Sequence, residues 1–253
     1  MTEQQFYPYI SAAGLLSAAF VFVYLFFVPA PYGRHIRQGW GPTIPNRIGW
    51  ILMETPAVLS ILAFYLTARA PGASIVWLLL GAWQVHYIYR TYIFPLTLQD
   101  RGKRMPVAVM FSGMLFNVFN GYINGRYLAW NAEQYDSTWL TSPAFLAGIA
   151  IFAAGLFINI TADRTLINLR KNRDTGYGIP HGGLYRWVSC PNYLGEIIEW
   201  SGWALMTWSP GGLVFAIWTA ANLLPRAISN HRWYRDQFAD YPSNRKAVIP
   251  FVW

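Results

Sequence analysis

Residues 190–208 read CPNYLGEIIEWSGWALMTW, an apolar and aromatic run with two carboxylates set into it. Asn192, Glu196 and Glu199 stand at i, i+4 and i+7, so a helix gathers them into one polar stripe while Leu194, Ile197 and Trp200 occupy its other faces. A charge at membrane depth costs several kcal/mol unless it is paired, protonated or turned to a wet cavity. The stretch therefore reads as one helix of a membrane bundle with a polar interior.

The rest of the chain agrees. Of 253 residues, 55% are hydrophobic and only 12% charged, against roughly 25% charged in soluble domains. The 13 Trp, 16 Tyr and 16 Phe suit membrane interfaces and large cavities between helices. Cys190 is the single cysteine, so no internal disulfide can form. The N-terminal MTEQQFYPYIS lacks the basic region of a cleaved signal, and Ile10–Pro29 lacks a clear cleavage site, so this run reads as a first span. Apolar windows fall at about 10–29, 48–68, 74–95, 106–130, 143–163, 193–208 and 211–228, each judged against the roughly 20 residues that cross a bilayer core. The expectation is an all-α bundle of about seven transmembrane helices in one domain, residues 1–253. The sixth window is short, held between Pro191 and the turn SPGG at 209–212.

Basic residues are distributed unevenly over these windows. Sixteen of the 19 Lys and Arg fall in alternate loops and the tail: Arg34, Arg37, Arg47; Arg101, Lys103, Arg104; Arg164, Arg170, Lys171, Arg173, Arg186; and Arg226, Arg232, Arg235, Arg245, Lys246. By the positive-inside rule this predicts an outside N-terminus and a cytoplasmic C-terminus. The charge serves topology and attraction to anionic headgroups; it also suits a pocket for a phosphate-bearing cofactor.

Polar residues interrupt several spans. Glu54 lies in ILMETPAVLS; His86, Tyr87 and Arg90 lie in WQVHYIYRTYIFP; Asn159, Asp163 and Arg170 share one helix face in FINITADRTLINLR. Any one of these could be interhelical glue. Their recurrence near the cytoplasmic ends of several spans points to a polar cofactor cavity opening there. Neither GxGxxG nor GxxxxGK[ST] occurs, nor a GxSxG elbow, and the four histidines are scattered, so no metal site is expected. The chemistry would rest on a bound cofactor and acid residues.

The motifs PYGRH (31–35), METP (53–56), HYIYRTY (86–92), RGKR (101–104), NITAD (159–163), YGIPHGGLY (177–185), VSCPNYLGEIIEW (188–200), MTWS (206–209) and HRWYRDQFADYPSNRKAVIPF (231–251) cover nearly the whole chain. On these the protein resembles the steroid 5α-reductase family, most closely the animal type 2 enzymes, with a C-terminal reductase block at about 105–253. A bacterial homologue would fit the same pattern. The resemblance implies NADPH-dependent reduction of the 4,5 double bond of a 3-oxo-Δ4 steroid, with Tyr87 and Glu54 polarising the 3-ketone. A protonated Glu54 would donate to the ketone; an ionised one would accept from Tyr87 and orient it. The α-carbon proton would come from water. For NADPH the family pattern carries over to Asn159, Asp163, Arg170, Tyr177, Asn192, Glu196, Arg226 and Tyr234, and to Arg101, Lys103 and Glu199; the acids could instead pair with neighbouring arginines such as Arg226. The expected partners are a steroid and membrane lipids, with no nucleic acid and a monomeric state, in a bacterial inner membrane or the endoplasmic reticulum. Departures from the type 2 pattern are Met53 where that family has Gln, Ser112 in place of an Arg, a slightly longer loop around Arg101, and Ser229, Asn230, His231 in place of three histidines. Two other classes share parts of these features: a membrane methyltransferase binding S-adenosylmethionine, which carries a similar C-terminal block, and a sterol-binding protein without catalysis.

Overall fold

The computed structural model describes residues 1–31, 33–68, 74–98, 102–171 and 177–252. The chain forms α1 (Glu3–Phe27), β1 (Thr43–Pro45), α2 (Asn46–Leu66) and α3 (Ser74–Ile88). A π-helical turn, Tyr89–Ile93, joins α3 to the short α4 (Phe94–Thr97). Then follow β2 (Arg104–Pro106), α5 (Val107–Trp130), α6 (Pro143–Lys171), α7 (Pro191–Thr207) and α8 (Pro210–Gln237), with a few 3-10 turns between. Among the described residues the architecture is all-α apart from one antiparallel ribbon, in which Ile44 of β1 pairs with Met105 of β2.

Among the described residues, four helices, α1, α2, α6 and α8, are long and apolar enough to cross a membrane. Outward-facing apolar side chains such as Phe20, Leu59, Leu115, Phe157 and Leu213 cover the bundle. By contrast, α7 presents no exposed residue from Pro191 to Thr207. Glu199, Trp200 and Trp203 of this helix are buried outright, while Asn192 and Glu196 line cavities between the helices.

The helix pairs α6 with α7 and α2 with α5 pack most extensively, and α8 packs on both α1 and α7. Glycine makes the first two pairs close. A Cβ built on Gly195 would sit 2.8 Å from the carbonyl oxygen of Gly155, and one on Gly202 would sit 2.7 Å from that of Gly148. On the second pair, a Cβ on Gly125 would lie 2.6 Å from the Ile61 carbonyl oxygen. Small residues let backbones approach within the membrane, where apolar burial supplies no drive for helix association.

Helix ends are set by local chemistry. Thr2 and Gln5 form a capping box on α1. Pro191 and Pro210 occupy first-turn positions of α7 and α8, where the missing N–H is harmless. Ser209 accepts from the Gly212 amide, capping α8 immediately after α7 ends at left-handed Trp208. The ribbon ties the entry of α2 to that of α5: Asn46 N donates to Lys103 O, and Val107 N to Pro42 O, both at 2.9 Å. The C-terminal tail returns to the segment before α7, with Ser189 N donating to Lys246 O and Lys246 N to Trp187 O.

Candidate active site

Two hydrogen bonds set α3 against α2. Trp83 Nε1 donates to Ala57 O at 3.0 Å and Gln84 Nε2 to Val58 O at 2.9 Å. The helices run antiparallel, so one turn onward along α3 brings Tyr87 to the level of Glu54, one turn back along α2. Both line a cavity of about 430 Å³ whose other walls include Met53, Ser112, Phe116, Trp200, Phe215 and Trp218. The Tyr87 ring packs against Trp83 and Trp200, with centroids 4.8 and 5.6 Å away. Glu54 Oε2 accepts from Asn117 Nδ2 at 3.0 Å, and the Tyr87 hydroxyl accepts from Asn120 Nδ2 at 3.4 Å. Among the described residues, the hydrogen bonds of Glu54 and Tyr87 thus go to asparagines of α5, not to each other.

A second cavity, about 240 Å³, lies at the end of the bundle where α1, α3, α6 and α8 finish and α2, α5 and α7 begin. Its wall is cationic, with Arg34, Arg47, Arg90, Lys103, Arg170 and Arg226. It shares Ala30, Trp50, Arg90, Tyr193 and Arg226 with the apolar cavity, so the two adjoin. Arg90, on the π turn, is held at this junction. Its guanidinium lies 4.7 Å from the Trp50 ring centroid and 3.3 Å from Asp163 Oδ2, and its carbonyl accepts from Trp50 Nε1. An inserted residue that breaks the α-helical ladder commonly marks a functional position. From Asp163 the contacts continue: Asn192 Nδ2 donates to Asp163 Oδ1, and Asn159 Nδ2 donates to the Asn192 carbonyl, each at 3.0 Å.

Of the arginines lining this cavity, Arg34 and Arg47 each bury a nitrogen, Nη1 and Nε respectively, that has no hydrogen-bond partner among the described residues. Arg34 also lies 4.6 Å from the ring centroids of both Trp233 and Tyr234. Lys103 Nζ donates to the Tyr177 hydroxyl at 3.1 Å. Orphaned cationic donors beside a ring of further arginines fit an anionic, phosphate-bearing group.

Of the residues expected to hold the cofactor, Lys103, Asp163, Arg170, Tyr177, Asn192, Arg226 and Tyr234 line the cationic cavity. Three are placed differently. Asn159 is buried behind the wall and fixes Asn192; Glu196 lines the apolar cavity; Glu199 lines neither. It is fully buried and bonded to His86 Nδ1 at 2.8 Å. Arg101 lies outside the described residues. Sequence reasoning assigned no site role to Arg34, His35, Arg47, Trp50 or Tyr193, or to Asn117 and Asn120. The legible signal for the last two was polar side chains recurring along an apolar span; the arginines were already accounted for by topology.

Fold and site define a helical, membrane-type protein in which a cationic chamber adjoins an apolar one. A family model described as 3-oxo-5-alpha-steroid 4-dehydrogenase matches residues 103–253. Steroid 5-alpha-reductase DET2 of Gossypium hirsutum is 42% identical over 258 residues, spanning 100% of this chain and 99% of that protein. The 3-oxo-5-alpha-steroid 4-dehydrogenase 1 of Rattus norvegicus is 41% identical, over 98% and 92%, and that of Homo sapiens 40%, over 87% and 85%. The chain belongs to the 3-oxo-5-alpha-steroid 4-dehydrogenase family.

Proposed function

We propose that the protein reduces the 4,5 double bond of 3-oxo-Δ4 steroids, such as testosterone or progesterone, to 5α-dihydro products with NADPH. The observation that carries this reading is the junction of the two chambers at Trp50, Arg90, Tyr193 and Arg226, with Glu54 and Tyr87 on the apolar side. The relatives' names supply the reaction class. NADPH, when bound, supplies the hydride. Arg34, Arg47, Lys103, Arg170 and Arg226 would hold its phosphates, while Asp163, Asn192 and Tyr234 would take its polar groups; the orphaned nitrogens of Arg34 and Arg47 support that fit.

Reduction at the β-carbon of an enone moves negative charge onto the carbonyl oxygen. Donors aimed at that oxygen in a site without bulk water stabilise it far more than water would. Tyr87 offers its phenolic proton. Glu54, if protonated, offers a second; if ionised, it acts by orienting its neighbours. Asn117 donates to Glu54 in either state. The rings of Trp83 and Trp200 hold Tyr87 and exclude solvent around it. Water then supplies the proton that the α-carbon takes up.

The same reading includes seven crossings, with the cationic chamber at the cytoplasmic side, the N-terminus outside and a monomeric protein, in a bacterial inner membrane or the endoplasmic reticulum. The test is single-turnover oxidation of NADPH by detergent-purified protein, with and without testosterone or progesterone and with mass analysis of the steroid. Steroid-dependent oxidation with a gain of two hydrogens is expected. Thermal stabilisation by S-adenosylmethionine and none by NADPH would replace this reading with the methyltransferase; steroid binding without NADPH binding would replace it with a sterol-binding protein.

A further inference from the structure

Behind Tyr87, buried side chains form a directed chain of hydrogen bonds. Trp203 Nε1 donates to Asn124 Oδ1 at 2.8 Å. Asn124 Nδ2 donates to Asn120 Oδ1 at 2.9 Å, and also meets the carbonyl oxygens of Asn120 at 3.1 Å and Gly211 at 3.5 Å. Asn120 Nδ2 donates to the Tyr87 hydroxyl oxygen at 3.4 Å. Trp203, Asn124 and Asn120 are each 0% exposed.

The direction of this chain follows from its first member. An indole N–H can only donate, so the atom of Asn124 facing it must be the oxygen, which turns the Asn124 nitrogen toward Asn120. The two backbone carbonyls hold that nitrogen in the same place. A donor arriving at Asn120 in turn requires its oxygen there, leaving its nitrogen to face Tyr87. Reversing either amide would set donor against donor in a buried site, at the cost of an unsatisfied group. The Tyr87 hydroxyl therefore receives a hydrogen bond from behind, and its own proton is left to point elsewhere.

We infer that Trp203, Asn124 and Asn120 are positioning residues that impose the direction of the Tyr87 hydroxyl and so present its proton to the substrate's carbonyl oxygen. This rests on the reading of Tyr87 as the donor to that oxygen. The chain spans three helices, since Tyr87 is on α3, the asparagines on α5 and Trp203 on α7. It couples the assembly of the bundle to the polarity of one hydroxyl.

Asn120→Asp tests it, because it replaces the donor facing Tyr87 with a carboxylate oxygen that accepts a hydrogen bond from the tyrosine O–H instead. Turnover of testosterone by the full-length protein in detergent is expected to fall about tenfold or more, with KM and the thermal stabilisation by NADPH little changed. In a Tyr87→Phe background the same change is expected to cost nothing further, since the hydroxyl it acts through is gone. Trp203→Phe keeps the ring packing but removes the donor that fixes the order; a smaller fall in kcat, likewise abolished by Tyr87→Phe, is expected. If Asn120→Asp does not yield folded protein, the Trp203→Phe cycle decides. Unchanged kcat in the single variants, or the same loss with and without the Tyr87 hydroxyl, overturns the positioning role while leaving Tyr87 as donor. Full turnover by Tyr87→Phe alone overturns both.

Discussion

Tyr87 and Glu54 are held by groups that outlast removal of their polar atoms. The Tyr87 ring keeps Trp83 and Trp200 when its hydroxyl is deleted, and Gln at position 54 retains an oxygen for Asn117. Tyr87→Phe and Glu54→Gln are accordingly expected to lower turnover by about 10²-fold or more while the thermal shift on NADPH addition persists; undiminished turnover in both would remove these residues from the reaction. His35 gives a pH-dependent counterpart at the chamber mouth. Its Nε2 lies 3.0 Å from Asn230 Oδ1, and burial, then the nearby Arg34 and Arg37 charges, push its pKa below the ordinary value of 6.5 despite the Asn230 bond. A depressed histidine pKa means the unfolded chain binds the proton first, so its contribution to stability is complete above pH 6.5 and is lost as pH falls below it. The difference in melting temperature between wild type and His35→Gln should therefore shift in the variant's favour between about pH 7.5 and 5.5; a constant difference would count against this. Glu199 shows what periodicity can and cannot say at this scale. The i, i+4, i+7 spacing identifies a polar stripe, but its members meet different surroundings: Asn192 meets Asp163, Glu196 the apolar chamber, and Glu199 the imidazole of His86.

Among the elements, α6 and α7 carry the tightest demand. Gly148 and Gly155 on one helix and Gly195 and Gly202 on the other let the two backbones touch, and this contact sets Asn159 and Asp163 against Asn192. A Cβ at Gly202 would meet backbone atoms, which cannot move aside without separating the helices. Gly202→Val is expected to abolish recovery of folded, monodisperse protein, whereas Gly81→Ala on α3, with open space around its Cβ position, should behave as wild type in size-exclusion and thermal-melt measurements. Equal behaviour of the two variants would show that the α6 and α7 contact is dispensable. The glycines and their seven-residue spacing stand in the sequence, yet nothing in either helix names the other as its partner. The same holds for the π turn: HYIYRTY reads as uninterrupted helix, and the inserted residue that sets Arg90 beside Trp50 and Asp163 emerges only when α3 and α4 are packed.

At the scale of the whole molecule, the cationic chamber belongs to no single element. Its wall is assembled from several helix ends, and the tail braces the segment before α7, where Val248 is fully buried and Lys246 bonds to both Trp187 and Ser189. Removing residues 245–253 should thus lower the melting temperature and weaken NADPH binding together, since Ser189 and Cys190 line the chamber; intact binding in the truncated protein would show that the tail does not support the site. Sequence alone determined the all-helical character, the approximate windows, the gathering of basic charge at one end and the presence of Glu54 and Tyr87, because each follows from composition, local period or a contiguous motif. Tertiary structure decided that Glu199 meets His86 across 113 residues of chain, that the α5 asparagines hold Glu54 and Tyr87, and that two chambers adjoin at Arg90. Those are pairings between helices, and a pattern that repeats every 3.6 residues fixes which face is polar without fixing which helix lies opposite it.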